Sequence, residues 1–70
     1  MKKEIIHNVV HDHRTGREVT QEGLAKAVGV SRQTVIAIER GNYVPSVALA
    51  LKISQYFALP VEQIFSLQKF

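Results

Sequence analysis

Three consecutive polar side chains near the middle of the chain have a clear chemical use. Arg32, Gln33 and Thr34 directly follow Ser31, a favourable helix-capping residue. An arginine can donate two hydrogen bonds to guanine, and a glutamine can pair with adenine, in the major groove of DNA. Ala37, one turn later, can contact only a thymine methyl group. The run therefore indicates base recognition, and the alternative is a helical corner with a solvated polar face.

The histidine-rich segment HNVVHDH suggests a second kind of chemistry, metal binding. His7 and His11 are four residues apart, and Asp12 and His13 follow, a spacing that can hold a metal if one helix includes His7. Asn8 is a better start for that helix, so we expect ordinary surface or partly buried histidines. The chain has no cysteine, and no catalytic triad, phosphate loop or carboxylate pair is apparent. We expect no metal, no cofactor and no enzymatic activity.

Two short helices are predicted to position the polar run. Thr20 is a favourable N-cap for the first and Ser31 for the second, while Gly29 between them can take the positive φ at which helices end. Apolar residues recur at helical spacing through both, namely Leu24, Ala25, Val28, Val30, Val35 and Ile38. Helices joined by so short a turn cross at a steep angle. Residues 21–40 are therefore predicted to form a helix-turn-helix.

Three further helices and two short strands are predicted around this motif. Asn8 is expected to cap a first helix that ends at about Arg14, and Pro45-Ser46 to open a fourth. The segment VEQIF after Pro60 is expected to form a short fifth helix. KKEII and SLQKF, at the two ends, are candidates for a two-stranded sheet. The fourth helix is predicted to face the core with Val47, Ala50, Ile53, Ser54 and Phe57.

Composition limits the classes of protein that remain. Seventy residues, 46% of them hydrophobic, suffice for one domain over residues 1–70. The net charge is +3, and +2 of it lies between residues 23 and 44. This segment contains Lys26, Arg32 and Arg40 and one acidic residue, Glu39. That distribution is typical of a segment that contacts phosphates, although many other surfaces share it. No apolar run is long enough for a membrane span and the first ten residues are too polar for a secretory signal, so a cytoplasmic protein is expected.

The stretch from Val19 to Phe65, VTQEGLAKAVGVSRQTVIAIERGNYVPSVALALKISQYFALPVEQIF, resembles the Cro/phage-repressor (XRE-like) family of helix-turn-helix regulators. The resemblance depends on the combination of Thr20-Gln21, Gly29-Val30-Ser31, Ile38-Glu39-Arg40-Gly41 and Pro45-Ser46. It implies an all-α, five-helix, lambda-repressor-like DNA-binding domain. One departure is that the family usually has glycine at the position of Glu18, whereas here the glycine is Gly16.

The resemblance also implies roles for individual residues. In the family, the start of the third helix contacts bases, which assigns Arg32, Gln33, Thr34 and Ala37 to that role. Residues at the start of the second helix and in the loop after the third contact the DNA backbone; here these are Thr20, Gln21, Arg40, Asn42 and Tyr43. A family glutamate that pairs with an arginine on the first helix corresponds to Glu39, with Arg14 as its structural partner.

Together these observations predict a dimeric transcriptional regulator, which we expect to be a repressor, with a double-stranded DNA operator as its partner. A homodimer is expected because SVALALKISQYFALP carries one charge and leaves more apolar surface than a monomer can cover. The interface is expected at the end of the fourth helix, the fifth helix and the tail. No membrane partner and no small-molecule effector domain are expected. The alternative function is a protein-interaction module, such as an antitoxin that captures a partner protein.

Overall fold

Within residues 4–69, which the computed structural model describes, the protein consists of four α-helices and one two-stranded sheet. The elements follow in the order β1 (Glu4–Asn8), α1 (Val10–Gly16), α2 (Gln21–Val28), α3 (Arg32–Glu39), α4 (Val47–Phe57), a single 3-10 turn (Val61–Gln63) and β2 (Phe65–Lys69). None of the helices in this part of the chain has the length and apolar character needed to span a membrane.

The predicted fifth helix is wrong. Pro60 is followed by one 3-10 turn, in which the amide of Ile64 donates to the carbonyl oxygen of Val61 at 3.0 Å. From Phe65 the chain is extended and pairs with β1. Only four residues lie between Pro60 and that strand, and so short a segment accommodates an i to i+3 turn rather than an α-helix.

Side-chain caps begin three of the four helices, as the sequence predicts. The hydroxyl oxygens of Thr20, Ser31 and Ser46 accept hydrogen bonds from the amide three residues further on, at 2.9, 3.2 and 3.1 Å. Gly29 ends α2 with a φ of +78°, and Gly41 follows α3 with a φ of +77°. Both angles are in the left-handed region that glycine adopts without strain.

The first helix differs from its prediction at both ends. It begins at Val10 rather than Val9, and Asn8 contributes through its Oδ1, which accepts from the amide of Val10 at 3.1 Å. It continues through Gly16 and ends where Glu18 takes a φ of +57°. The amide of Val19 then donates to the carbonyl of Arg14 at 3.0 Å, which closes the helix. The left-handed residue is thus the glutamate and not the nearby glycine.

The core lies where the four helices meet, and the apolar residues of the helix-turn-helix line it as predicted. Leu24, Val35 and Ile38 are at most 1% exposed, and Val30 is partly buried against them. The predicted inner face of α4 is only partly right, because Val47 is exposed and Leu49 is buried instead. The buried series on α4 is Leu49, Ile53, Ser54 and Phe57, the helical spacing that follows once Ser46 fixes the first turn.

The two chain ends pair as an antiparallel sheet. Ile6 is opposite Leu67, His7 is opposite Ser66 and Asn8 is opposite Phe65. This confirms the predicted pairing of KKEII with SLQKF for the residues that the structure describes, while Lys2, Lys3 and Phe70 lie outside them. The strands also include His7, Asn8 and Phe65, which were not part of that prediction. The sheet covers the core beside Ile64, which is 2% exposed and accepts the amide of Val9.

Candidate nucleic-acid interface

The side chains at the start of α3 lie on the surface because the opposite face of this helix packs against α2. Arg32 and Gln33 are exposed, whereas Val35 and Ile38 on the opposite face are buried against α2. Ile36 and Ala37 are partly buried and lie along the outward side. Because the core fixes which face of α3 is turned outward, Arg32 and Gln33 are available to an external partner.

Thr34, the third predicted base-contacting residue, has a local role. It is partly buried, and its hydroxyl is 3.0 Å from that of Ser31, the cap of the same helix. Its amide also donates to the Ser31 hydroxyl. The side chain therefore helps to begin α3, and its hydroxyl is less available than the side chains of Arg32 and Gln33.

The predicted backbone-contacting residues lie at two places beside α3. Thr20 and Gln21 are at the start of α2, where Thr20 caps the helix. Arg40, Asn42 and Tyr43 are exposed in the segment after α3. The amide nitrogens at the start of a helix favour negatively charged groups. The start of α2 therefore favours a negatively charged group, and Arg40 supplies positive charge after α3.

Arg14 and Glu39 form a nearly buried ion pair between α1 and α3. Arg14 Nε donates to Glu39 Oε2 at 2.6 Å and Arg14 Nη2 donates to Oε1 at 3.2 Å. The two side chains are 10% and 6% exposed. Arg14 Nη1 also donates to the carbonyl oxygen of Val19 at 2.9 Å. The pair thus joins the first helix to the end of α3 and to the segment that precedes α2.

Gln21 is attached to the same pair. Its Nε2 donates to Glu39 Oε1 at 3.2 Å. Burial alone would raise the pKa of Glu39, but the hydrogen bonds from Arg14 and Gln21 and the positive charge of Arg14 together hold that pKa below its ordinary value of 4.5. The ionised carboxylate of Glu39 therefore orients two side chains, that of Arg14 on α1 and that of Gln21 at the start of α2.

A shallow concavity of about 320 Å³ opens beside α3. Its lining combines residues from three helices: His11, Gln21, Arg32, Ile36, Glu39 and Arg40. A neighbouring concavity shares Gln21 and Arg32 with it and is also lined by Arg14, Thr20 and Glu22. Arg14, Arg32 and Arg40 therefore lie around the start of α2 and the outward side of α3, together with the carboxylates of Glu22 and Glu39.

Asn8 and Arg17 make long-range contacts that the sequence analysis did not predict. Asn8 Nδ2 donates to the carbonyl oxygen of Ile38 at 2.8 Å, which ties β1 to the last turn of α3. Arg17 donates to the carbonyl oxygens of Tyr56 and Phe57 at the end of α4, and its guanidinium lies 5.3 Å from the centre of the Phe57 ring. A positive residue at a helix C-terminus is a known stabilising pattern, but neither partner is near in sequence.

The histidines are distributed over different surroundings. His7 is exposed on β1, His11 is exposed and its Nδ1 lies 3.6 Å from Asp12 Oδ1, and His13 is partly buried with its ring centre 5.8 Å from that of Phe57. Among the residues that the structure describes, no three His, Asp or Glu side chains are grouped as a metal site would require.

Exposed apolar side chains form a separate surface at the start of α4, opposite in character to the polar one. Val44, Val47 and Leu51 are 61%, 77% and 46% exposed, and Leu67 on β2 is 60% exposed. Val44, Val47 and Leu51 line a groove of about 320 Å³ between α4 and the sheet, together with Ile6, Pro45 and Phe65.

Comparison with known proteins gives concordant similarities. A family model described as helix-turn-helix matches residues 11–64. An uncharacterized HTH-type transcriptional regulator of Methanocaldococcus jannaschii is 52% identical over 58 residues, which are 83% of this chain and 88% of that protein. The cryptic phage CTXphi transcriptional repressor RstR of Vibrio cholerae is 28% identical over 57 residues, 81% of this chain and 51% of the repressor.

A solved structure shows the same fold. The restriction-modification controller protein C.AhdI from Aeromonas hydrophila superposes with a TM-score of 0.72 at 28% sequence identity. The superposition covers 77% of this chain and 82% of the controller protein.

Proposed function

The chain belongs to the helix-turn-helix family, in its Cro/phage-repressor type of DNA-binding transcriptional regulators, and we propose that it acts as a dimeric repressor whose α3 occupies the major groove of its operator. The observation that carries the proposal is the exposure of Arg32 and Gln33 at the start of a helix whose opposite face is fixed in the core. These are the side-chain types that pair with guanine and adenine edges. Ala37 and Ile36 supply apolar contact for a thymine methyl group.

Backbone contacts are assigned to the residues on either side of α3. Glu39 holds Gln21 at the start of α2, and Thr20 caps the same helix. The N-terminus of α2 is thereby directed towards a phosphate. Arg40, Asn42 and Tyr43, exposed after α3, contact the next phosphates. Such contacts fix the orientation of the protein on the duplex and carry no sequence preference of their own.

Dimerisation is supported by the apolar surface at the start of α4. Val44, Val47 and Leu51 are exposed and line the groove next to the sheet, and clustered apolar side chains of this kind usually mark an interaction surface. The end of α4, which the sequence favoured, is less suitable because Phe57 is buried and Tyr56 is partly buried. We therefore assign the interface to the start of α4 together with β2. A dimer with two copies of α3 about 34 Å apart would recognise half-sites one helical turn apart.

Repression is the regulatory outcome that this architecture supports. A dimer that binds bases and phosphates on one face of the duplex excludes other proteins from the same site. The similarity to a phage repressor supports this direction of regulation.

The proposal is tested by DNA titration with matched variants. The wild-type protein first selects duplexes from a random pool, and its affinity for the selected site is compared with that for a scrambled duplex at two salt concentrations. Arg32→Ala or Gln33→Ala should cost about 1–3 kcal/mol on the selected site and flatten the preference at one position per half-site, whereas Arg40→Ala should weaken both duplexes alike and reduce the salt dependence.

The titration also has an outcome against the proposal. If Arg32→Ala and Gln33→Ala both leave the ratio between the two duplexes unchanged, α3 does not recognise bases. Capture of a partner protein, the alternative function, would then be the better explanation of the exposed apolar surface.

Dimerisation is tested separately by sedimentation at micromolar concentration. Val47→Glu places a charge on a side chain that is 77% exposed, so the fold should persist while the dimer dissociates. Gln55→Glu, at an exposed position on the same helix outside the groove, is the control and should leave the dimer intact. A wild-type protein that sediments as a 7.9 kDa monomer with and without DNA would contradict the dimer.

A further inference from the structure

The concavity of about 320 Å³ beside α3 has lining residues to which no DNA contact has been assigned above. Arg32, Ile36 and Arg40 are spaced four residues apart and form its α3 side. Gln21 contributes from α2, and His11 contributes from the first turn of α1. His11 is exposed and belongs to none of the predicted sets of DNA contacts.

The charge inside this concavity favours an anion. Glu39 is its one carboxylate, and it is already matched by two hydrogen bonds from Arg14 and one from Gln21. Arg32 and Arg40 therefore supply the unbalanced charge at the rim. A concavity with unmatched positive charge and amide donors, placed beside a helix that enters the major groove, lies where the sugar-phosphate backbone passes.

We propose that this concavity binds one phosphate of the DNA backbone and that His11, in its protonated form, donates a hydrogen bond to that phosphate. The inference rests on the proposed DNA-binding function and adds a contact to it. Histidine is the side chain that ordinarily changes charge between about pH 5 and 8, so the contact makes DNA affinity depend on pH over this range.

Several charged groups surround His11. On α1 these are Asp12, whose carboxylate is 3.6 Å from His11 Nδ1, and Arg14 three residues further on, which is paired with Glu39. On α3 they are Arg32, Glu39 and Arg40. The facing residue of α2, Gln21, is uncharged. His7 on β1 lines a second concavity, which shares Glu39 and Arg40 with this one. A phosphate bound in the concavity would place a further negative charge beside His11.

The test compares duplex affinity at about pH 6 and about pH 8, at constant ionic strength, for the wild type and two histidine variants. The wild type should bind about two- to fivefold more tightly at the lower pH, the effect of one exposed ion pair. His11→Gln should lose most of this difference. His7→Gln, the matched control at an exposed histidine outside the concavity, should keep it. His11→Lys should bind at both pH values as the wild type does at the lower one.

Further readouts distinguish a phosphate contact from a structural effect. The pH dependence should be equal on the selected and scrambled duplexes, because a phosphate carries no sequence information, and circular dichroism should show all variants folded at both pH values. The inference is overturned if His11→Gln keeps the pH dependence, if His7→Gln loses it equally, or if the wild type binds DNA with no pH dependence. A folded wild type that binds no duplex at either pH would overturn the proposed function and this inference together.

Discussion

Removing one partner of the Arg14–Glu39 pair should cost far more than removing both. Arg14→Met and Glu39→Leu are suitable changes because each replaces a charged side chain by an apolar one of similar length. In either single variant the remaining charge stays nearly buried, since the two side chains are 10% and 6% exposed. In the double variant no charge remains.

The structure sets the expected magnitudes. A single variant strands a buried charge, which costs about 3–5 kcal/mol. The double variant loses the pair, and it also leaves the Val19 carbonyl and the Gln21 amide without their partners. At about 1 kcal/mol for each of these hydrogen bonds, the double variant should lose roughly 2 kcal/mol. The sum of the stability losses in the two single variants should therefore exceed the loss in the double variant by several kcal/mol.

Urea denaturation of all four proteins measures these losses. A chain of 70 residues has roughly 4–10 kcal/mol of stability in total, so the melts should be performed at about 10 °C, near the usual temperature of maximum stability. Asp12→Ala is the control, because its pair with His11 is 3.6 Å long with side chains 61% and 79% exposed; it should change stability by less than about 1 kcal/mol. Single losses that simply add up to the double loss would refute the reasoning.

Two further predictions concern the backbone and acid stability. Ala58 ends α4 with a φ of +56°, so Ala58→Gly should stabilise the protein by about 0.5–1 kcal/mol in the same urea assay, and a loss of stability would contradict the strain. Because the folded state lowers the pKa of Glu39 below 4.5, its contribution should be complete above pH 4.5 and lost as the pH falls through the folded pKa. Wild type should therefore lose stability more steeply in acid than Glu39→Gln, and equal slopes would exclude Glu39 as the source.

The parts of the fold that the sequence predicts correctly depend on local chemistry. Thr20, Ser31 and Ser46 cap helices through hydrogen bonds to amides three residues away, so residue type and spacing are sufficient to identify them. The buried corner between α2 and α3 follows in the same way from apolar spacing. The pairing of Arg14 with Glu39 has a different basis, since only the family resemblance indicated it. The DNA contacts stay predictions.

The incorrect or missing parts depend on contacts between distant segments. VEQIF has a helical composition, but pairing of Phe65 with Asn8 extends the chain there. Val47 is apolar and still exposed, because the position of the core relative to α4 decides which side is buried. Asn8 bonds to Ile38 and Arg17 to Phe57, partners 30 and 40 residues away. Neither contact has a local signal in the sequence.

The pairing of β1 with β2 has a consequence for the order in which the protein folds. The two strands are the most distant segments of the described chain, whereas α2 and α3 are adjacent in sequence and meet through a short turn. Bringing distant segments together costs more chain entropy than closing a short loop. The helices should therefore assemble first and the strands join last. Amide hydrogens of the sheet should accordingly exchange with solvent through openings that leave the helix-turn-helix intact.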